Sequence, residues 1–175
     1  MRWFNHVAVA GSVAAVIDPG MVPLAMLGST SPDWLEWIGG TAAGRKVKHR
    51  TVTHVLLTWL TAAAFFGFVW DVRGWGLAFT LGAICHWLQD SLTVTGVPVS
   101  WWSDRRTTLL GGRMRTGGMG EYILSGVVVL ACGLAVFMFR APDTGFVPFF
   151  RNWPELYREG IVDGAEWRAR RFEWF

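Results

Sequence analysis

The stretch Val7–Gly28, VAVAGSVAAVIDPGMVPLAMLG, decides the fold, because it either crosses a membrane once or turns back on itself. Asp18-Pro19-Gly20 is a turn signal, and Pro23 reinforces it. Each limb then has about eleven residues, roughly 16 Å of helix, which is half the thickness of a bilayer's hydrocarbon core. That favours a short re-entrant helical hairpin. The alternative is one Pro-kinked span, since membrane helices tolerate proline. The two readings put His6 on different sides of the membrane relative to Asp33.

The rest of the chain makes a membrane setting the first expectation. Of 175 residues, 52% are hydrophobic and 17% are charged, with twelve Trp and twelve Phe. A soluble domain carries about 25% charged residues. The formal charge of +3 comes from arginine and lysine, and in such a chain these residues mark cytoplasmic loops and do not call for a nucleic-acid partner. Cys85 and Cys132 both lie in apolar runs and read as small buried hydrophobes, not as a disulfide framework. The N-terminus has the outline of a signal peptide, but the expectation is a retained membrane segment, because His6 belongs with the residues described below.

The clearest span is Tyr122–Phe139, YILSGVVVLACGLAVFMF, eighteen residues without a charge. A second is Thr51–Trp70, whose ionisable residue is His54. A third runs from Gly74 to about Leu92 and carries His86 and Asp90. The expected fold is therefore an all-α polytopic membrane bundle with about three full spans plus the N-terminal hairpin. Arg45, Lys46, Lys48 and Arg50 precede the second span, and Arg105, Arg106, Arg113 and Arg115 follow the third. Both segments should be cytoplasmic, as in a bacterial inner membrane protein. Residues 1–140 form the membrane domain. Residues 141–175, rich in Trp, Phe and Arg, form a tail that reads equally as an interfacial segment or as a helix that binds a protein partner. Trp34, Trp37, Trp101 and Trp102 read as interfacial anchors.

The chain has four histidines, and each falls beside an acid or at a helix end. His86 and Asp90 are four apart and share a helix face. Asp33 and Glu36, three apart, share one if their segment is helical. His49 closes the first basic loop and His54 lies one turn into the second span. Ionisable groups at membrane depth are costly and are functional candidates by default. Taken singly, each also has a plain reading, as an interhelical hydrogen bond or an intrahelical pair. Together, imidazoles and carboxylates suit zinc, or manganese or iron. His6 joins them only if Val7–Gly28 turns back, so the hairpin and the metal site support each other.

The segments SPDWLE, HRTVTHVLL and CHWLQDSLTVTGVPVSWW resemble motifs of the YdjM-like membrane-bound metal-dependent hydrolases. That family shows P-D-x-D-H, then H-R-G-x-T-H-S, then S-H-x-x-x-D-x-x-T-x-x-G-V-P. The resemblance runs from His6 to about Glu121. It places His6, Asp33, His49, His54, His86 and Asp90 on the family's ligand positions, and Glu121 on a recurring acidic position near the site. Leu35 stands where the family has its second Asp, Glu36 where it has a His, and Thr51 where it has a Gly. The resemblance implies an all-helical membrane fold and a hydrolytic role, with a distant likeness to zinc-dependent phospholipase C.

The expected function is metal-dependent hydrolysis of a phosphoester in a lipid or lipid-linked substrate, with the site near the cytoplasmic face. Glu36 serves as ligand or general base, Asp33 as ligand with a catalytic role, and Arg50, Arg105 and Arg106 are candidate phosphate-binding residues. The alternative is a metal-stabilised structural or assembly subunit of a membrane complex. A His/Asp ion or proton relay fits less well, because the ligands gather at one interface.

Overall fold

The turn at Asp18 is made by local chemistry. The computed structural model describes residues 1–42, 44, 52–71, 74–103, 105–139, 158, 160 and 163–165. Helix α1 (Trp3–Ile17) ends at Asp18, whose extended backbone (φ −157°, ψ 119°) stops the helical run. The Asp18 carboxylate accepts the Gly20 N–H at 2.8 Å, and Pro19 opens a one-turn 3₁₀ segment, Pro19–Met21. Helix α2 (Val22–Ala42) then runs back along α1 around a small core of Ala14, Val22 and Ala25. The fold-back is present, but its second limb is 21 residues long, not the eleven expected.

The second limb continues because Pro32 does not end it. Proline has no N–H, so the Gly28 carbonyl, four residues back, loses its normal helix partner. The Ser31 hydroxyl donates to that carbonyl at 2.7 Å instead. Ser29 and Thr30 likewise return their hydroxyls to the carbonyls of Met26 (2.7 Å) and Leu27 (2.9 Å). Asp33 and Glu36 therefore sit on a continuous helix.

Helix α3 is Leu56–Phe68, thirteen residues, shorter than the Thr51–Trp70 expected. A 3₁₀ turn, Val52–His54, and an extended Val55 take up the start of that stretch. Helix α4 (Trp75–Ser91) starts after Gly74, which has φ 76°, and the Asp71 carboxylate caps its first turn by accepting Gly76 N–H (2.8 Å) and Leu77 N–H (3.0 Å). It is the central helix, packed by α1, α2 and α3. Its crossing with α2 is backbone to backbone. A Cβ on Gly82 would lie 1.9 Å from the Ala25 carbonyl oxygen, and one on Gly28 would lie 1.9 Å from that of Phe79.

Between α4 and the last helix lies a short strand pair that the helical pattern did not foretell. β1 (Val97–Pro98) pairs antiparallel with β2 (Arg106–Thr107), and a bridge joins Thr93 to Met114. Helix α5 (Met119–Phe139) is long and apolar enough to cross a membrane, while α1 and α3 are apolar but shorter. Among the described residues, then, one helix has both the length and the apolarity of a full span. His49, Arg50 and most of residues 141–175 lie outside the described residues.

Candidate metal centre

The largest side chains that are almost wholly buried are not apolar. They are His6, His54, His86 and Glu121. Buried polar groups of this size need partners, and the three histidines gather at one end of the hairpin.

His86 is held by the close crossing of α2 and α4. The contact at Gly28 and Gly82 lets the Ser29 carbonyl reach His86 Nδ1 at 2.7 Å. A carbonyl only accepts, so Nδ1 carries the proton and Nε2 is left with its lone pair. Among the described residues, Nε2 is buried without a hydrogen-bond partner. It faces Asp90 Oδ2 at 3.7 Å, one turn along α4, and Asp33 Oδ1 at 3.9 Å on α2.

His6 arrives from the first turn of α1. Its ring stacks on that of His86 with centroids 3.9 Å apart and planes 15° off parallel. Its Nε2 lies 3.5 Å from Asp90 Oδ1, and neither ring nitrogen has a hydrogen bond among the described residues. The same Asp90 oxygen accepts the Met1 ammonium, a cation against this carboxylate. Helix α1 is tied down by Glu121, at the start of α5. Its carboxylate accepts the Arg2 N–H at 2.5 Å, the Gly117 N–H at 2.6 Å and the Asn5 side-chain amide. Glu121 thus lies behind His6 and outside the ligand groups.

His54 comes from the 3₁₀ turn before α3. That turn is braced by the Trp59 indole, which donates to the Thr53 carbonyl at 2.8 Å, and by the Leu57 N–H, which donates to Val99 at 3.1 Å. His54 Nε2 lies 3.2 Å from Asp33 Oδ1, and Nδ1 lies 3.2 Å from Glu36 Oε2. The imidazole is sandwiched between two carboxylates of α2.

Among the described residues, two sets of donors have the spacing of a metal site: His6, His86 and Asp90, and Asp33, His54 and His86. Within each set the donor atoms lie within 4.8 Å of one another. His86 belongs to both, yet with Nδ1 spent on Ser29 it has one lone pair and can serve one ion. The donors are imidazole nitrogens and carboxylate oxygens without thiolate, which fits zinc, manganese or iron. The orphaned Nε2 of His86 and the bare ring of His6 fit such an ion, since a buried imidazole nitrogen without a partner is otherwise costly.

Five of the sequence-derived ligands thus meet: His6, Asp33, His54, His86 and Asp90. Glu36 touches the far nitrogen of His54 and is in neither set. Beside the centre is a cavity of about 690 Å³, lined by Met1, Trp3, Asp33, Asp90, Thr95, Arg106 and Thr116. Arg106 lines it and Arg105 does not. Sequence reasoning missed the Ser29 carbonyl, the Met1 ammonium and the Asn5 clamp on Glu121. None of these has a residue-type signal, because each arises from where the backbone passes.

A helical membrane protein with a buried His/Asp cluster at the end of an α-hairpin is the class that fold and site define. Residues 1–149 match the family described as YdjM inner membrane protein, and the chain belongs to that family. No curated protein and no solved structure matches the chain.

Proposed function

We propose that the chain is a membrane-bound, metal-dependent hydrolase acting on a phosphoester of a lipid or lipid-linked substrate. The observation that carries this reading is the partnerless, buried Nε2 of His86, faced by two carboxylates that also line an open cavity with Arg106.

The ligands are His6, Asp33, His54, His86 and Asp90, with His49 as a further candidate. These residues would hold a divalent ion, zinc by preference, which would supply Lewis acidity toward a phosphoryl oxygen and make water at the site more acidic. The chain's own residues do the rest. Ser29 fixes the tautomer of His86. Glu36 Oε2, 3.2 Å from Nδ1 of His54, and the Thr53 hydroxyl on the same nitrogen orient the ring's Nε2 toward the site. Asp33, the more exposed of the two cavity carboxylates, takes a proton from the attacking water. Arg106 pairs with non-bridging phosphoryl oxygens from the cavity wall, and Arg50 is a second candidate for that task. The positive-inside rule, applied to the arginines of residues 105–115, supports a cytoplasmic position for this end of the molecule, with α3 and α4 as shorter spans beside α5.

The test is phosphate release from a lipid panel by zinc-loaded protein in mixed micelles. Wild type should turn over at least one phospholipid or lipid phosphate. Arg106→Gln should raise KM about tenfold and Asp33→Asn should lower kcat about a hundredfold. Metal-loaded wild type that releases no phosphate from any lipid would sink the hydrolase reading and leave the ion a structural role in a membrane assembly.

A further inference from the structure

A second cavity, of about 520 Å³, lies away from the metal centre and is lined by Leu92, Leu110, Arg113, Met114 and Leu124. It shares no lining residue with the first cavity. Its wall is apolar except for one guanidinium, and Arg113 makes no hydrogen bond or ion pair among the described residues.

Three observations say what fits it. Leu124 belongs to α5, five residues past its start at Met119 and so about 7.5 Å along the helix apolar enough to span a bilayer. Residues 105–120, RRTTLLGGRMRTGGMG, carry four arginines and no acid. At the tip of this loop Leu110 is 80% exposed, and it is the one non-glycine residue with positive φ (50°) among the described residues. A bulky side chain is held out from the protein on a backbone conformation that costs energy. Apolar tip, basic flanks and a cavity beside the spanning helix are complementary to an anionic amphiphile, not to a soluble anion.

We propose that this cavity binds an anionic phospholipid of the surrounding bilayer, with the phosphate on Arg113 and an acyl chain against Leu124, Leu110 and Leu92. The site is independent of the hydrolase reading and holds whether or not the metal centre turns over lipid.

Native mass spectrometry of the full chain in detergent tests it, with phosphatidylglycerol and phosphatidylcholine as probes. Wild type should retain phosphatidylglycerol about fivefold more strongly than phosphatidylcholine, the preference one arginine gives at a membrane surface. Arg113→Gln should bring that ratio close to one. Leu110→Gly, which keeps the charge and relieves the positive φ, should weaken retention of both lipids. Metal content and monodisperse elution, unchanged in both variants, report that the fold is intact. Equal retention of the two lipids by wild type overturns the proposal, as does an Arg113→Gln variant that binds like wild type. So does displacement of phosphatidylglycerol by glycerol phosphate at equal concentration, because the headgroup alone would then suffice.

Discussion

One hydrogen bond decides what His86 can do. With Nδ1 donating to the Ser29 carbonyl, the ring presents a fixed in-plane lone pair toward Asp33 and Asp90, while His6 stacks on its face. The i, i+4 relation of His86 and Asp90 could be read from spacing alone, since both lie on one helix. Ser29 could not, because a backbone carbonyl has no signature in sequence and becomes a partner only when two helices touch. Glu36 shows where spacing stops short. Its spacing from Asp33 was sound, but the His54 ring lies between the two carboxylates, so Glu36 faces the outer nitrogen. Glu36→Ala should therefore weaken metal affinity by 10- to 100-fold, as loss of a carboxylate behind a ligating histidine does, without abolishing binding. A competitive chelator titration measures this. Affinity equal to wild type would mean that Glu36 does not support the site.

At the scale of elements, the site depends on how closely α2 and α4 approach. A Cβ on Gly82 would sit 1.9 Å from a backbone oxygen, which cannot move aside as a flexible side chain can. Gly82→Val should separate the helices, pull Ser29 from His86 and cost about 3 kcal/mol or more. Gly126 on α5 has open space around it, so Gly126→Ala should be neutral or slightly stabilising through helix propensity. Thermal unfolding in detergent, with metal content measured in parallel, separates the two, and a Gly82→Val variant as stable as wild type would refute the crossing as the determinant. The hairpin was legible because Asp-Pro-Gly acts within three residues. The continuation of α2 through Pro32 was not, since it rests on the Ser31 hydroxyl standing in for a missing N–H. Apolar runs likewise overstated α3, because periodicity does not reveal that Val52–His54 leaves the helix and sets His54 between Asp33 and Glu36.

At the scale of the whole molecule, polarity is inverted. The largest fully buried side chains are histidines and a glutamate, while Phe68, Leu110, Phe137 and Phe139 are each more than three-quarters exposed. On α5 only Glu121 and Ser125 are buried, both near its start. A lipid-facing exterior accommodates the second feature; the buried Glu121 is satisfied by the Arg2, Gly117 and Asn5 N–H groups, and the proposed ion would account for the histidines. The ion should then contribute to stability through linkage: chelation of the loaded protein should lower the unfolding midpoint by about 5–10 °C, and should leave His86→Ala unmoved. The most direct test of the central claim is elemental analysis of purified wild type, His86→Ala and Asp90→Ala after equilibration with zinc and removal of excess. At least one tightly held metal per chain in wild type, lost in both variants with Gly126→Ala as an unaffected control, is the result the geometry predicts. Wild type that holds no metal, or variants that hold as much as wild type, would contradict it.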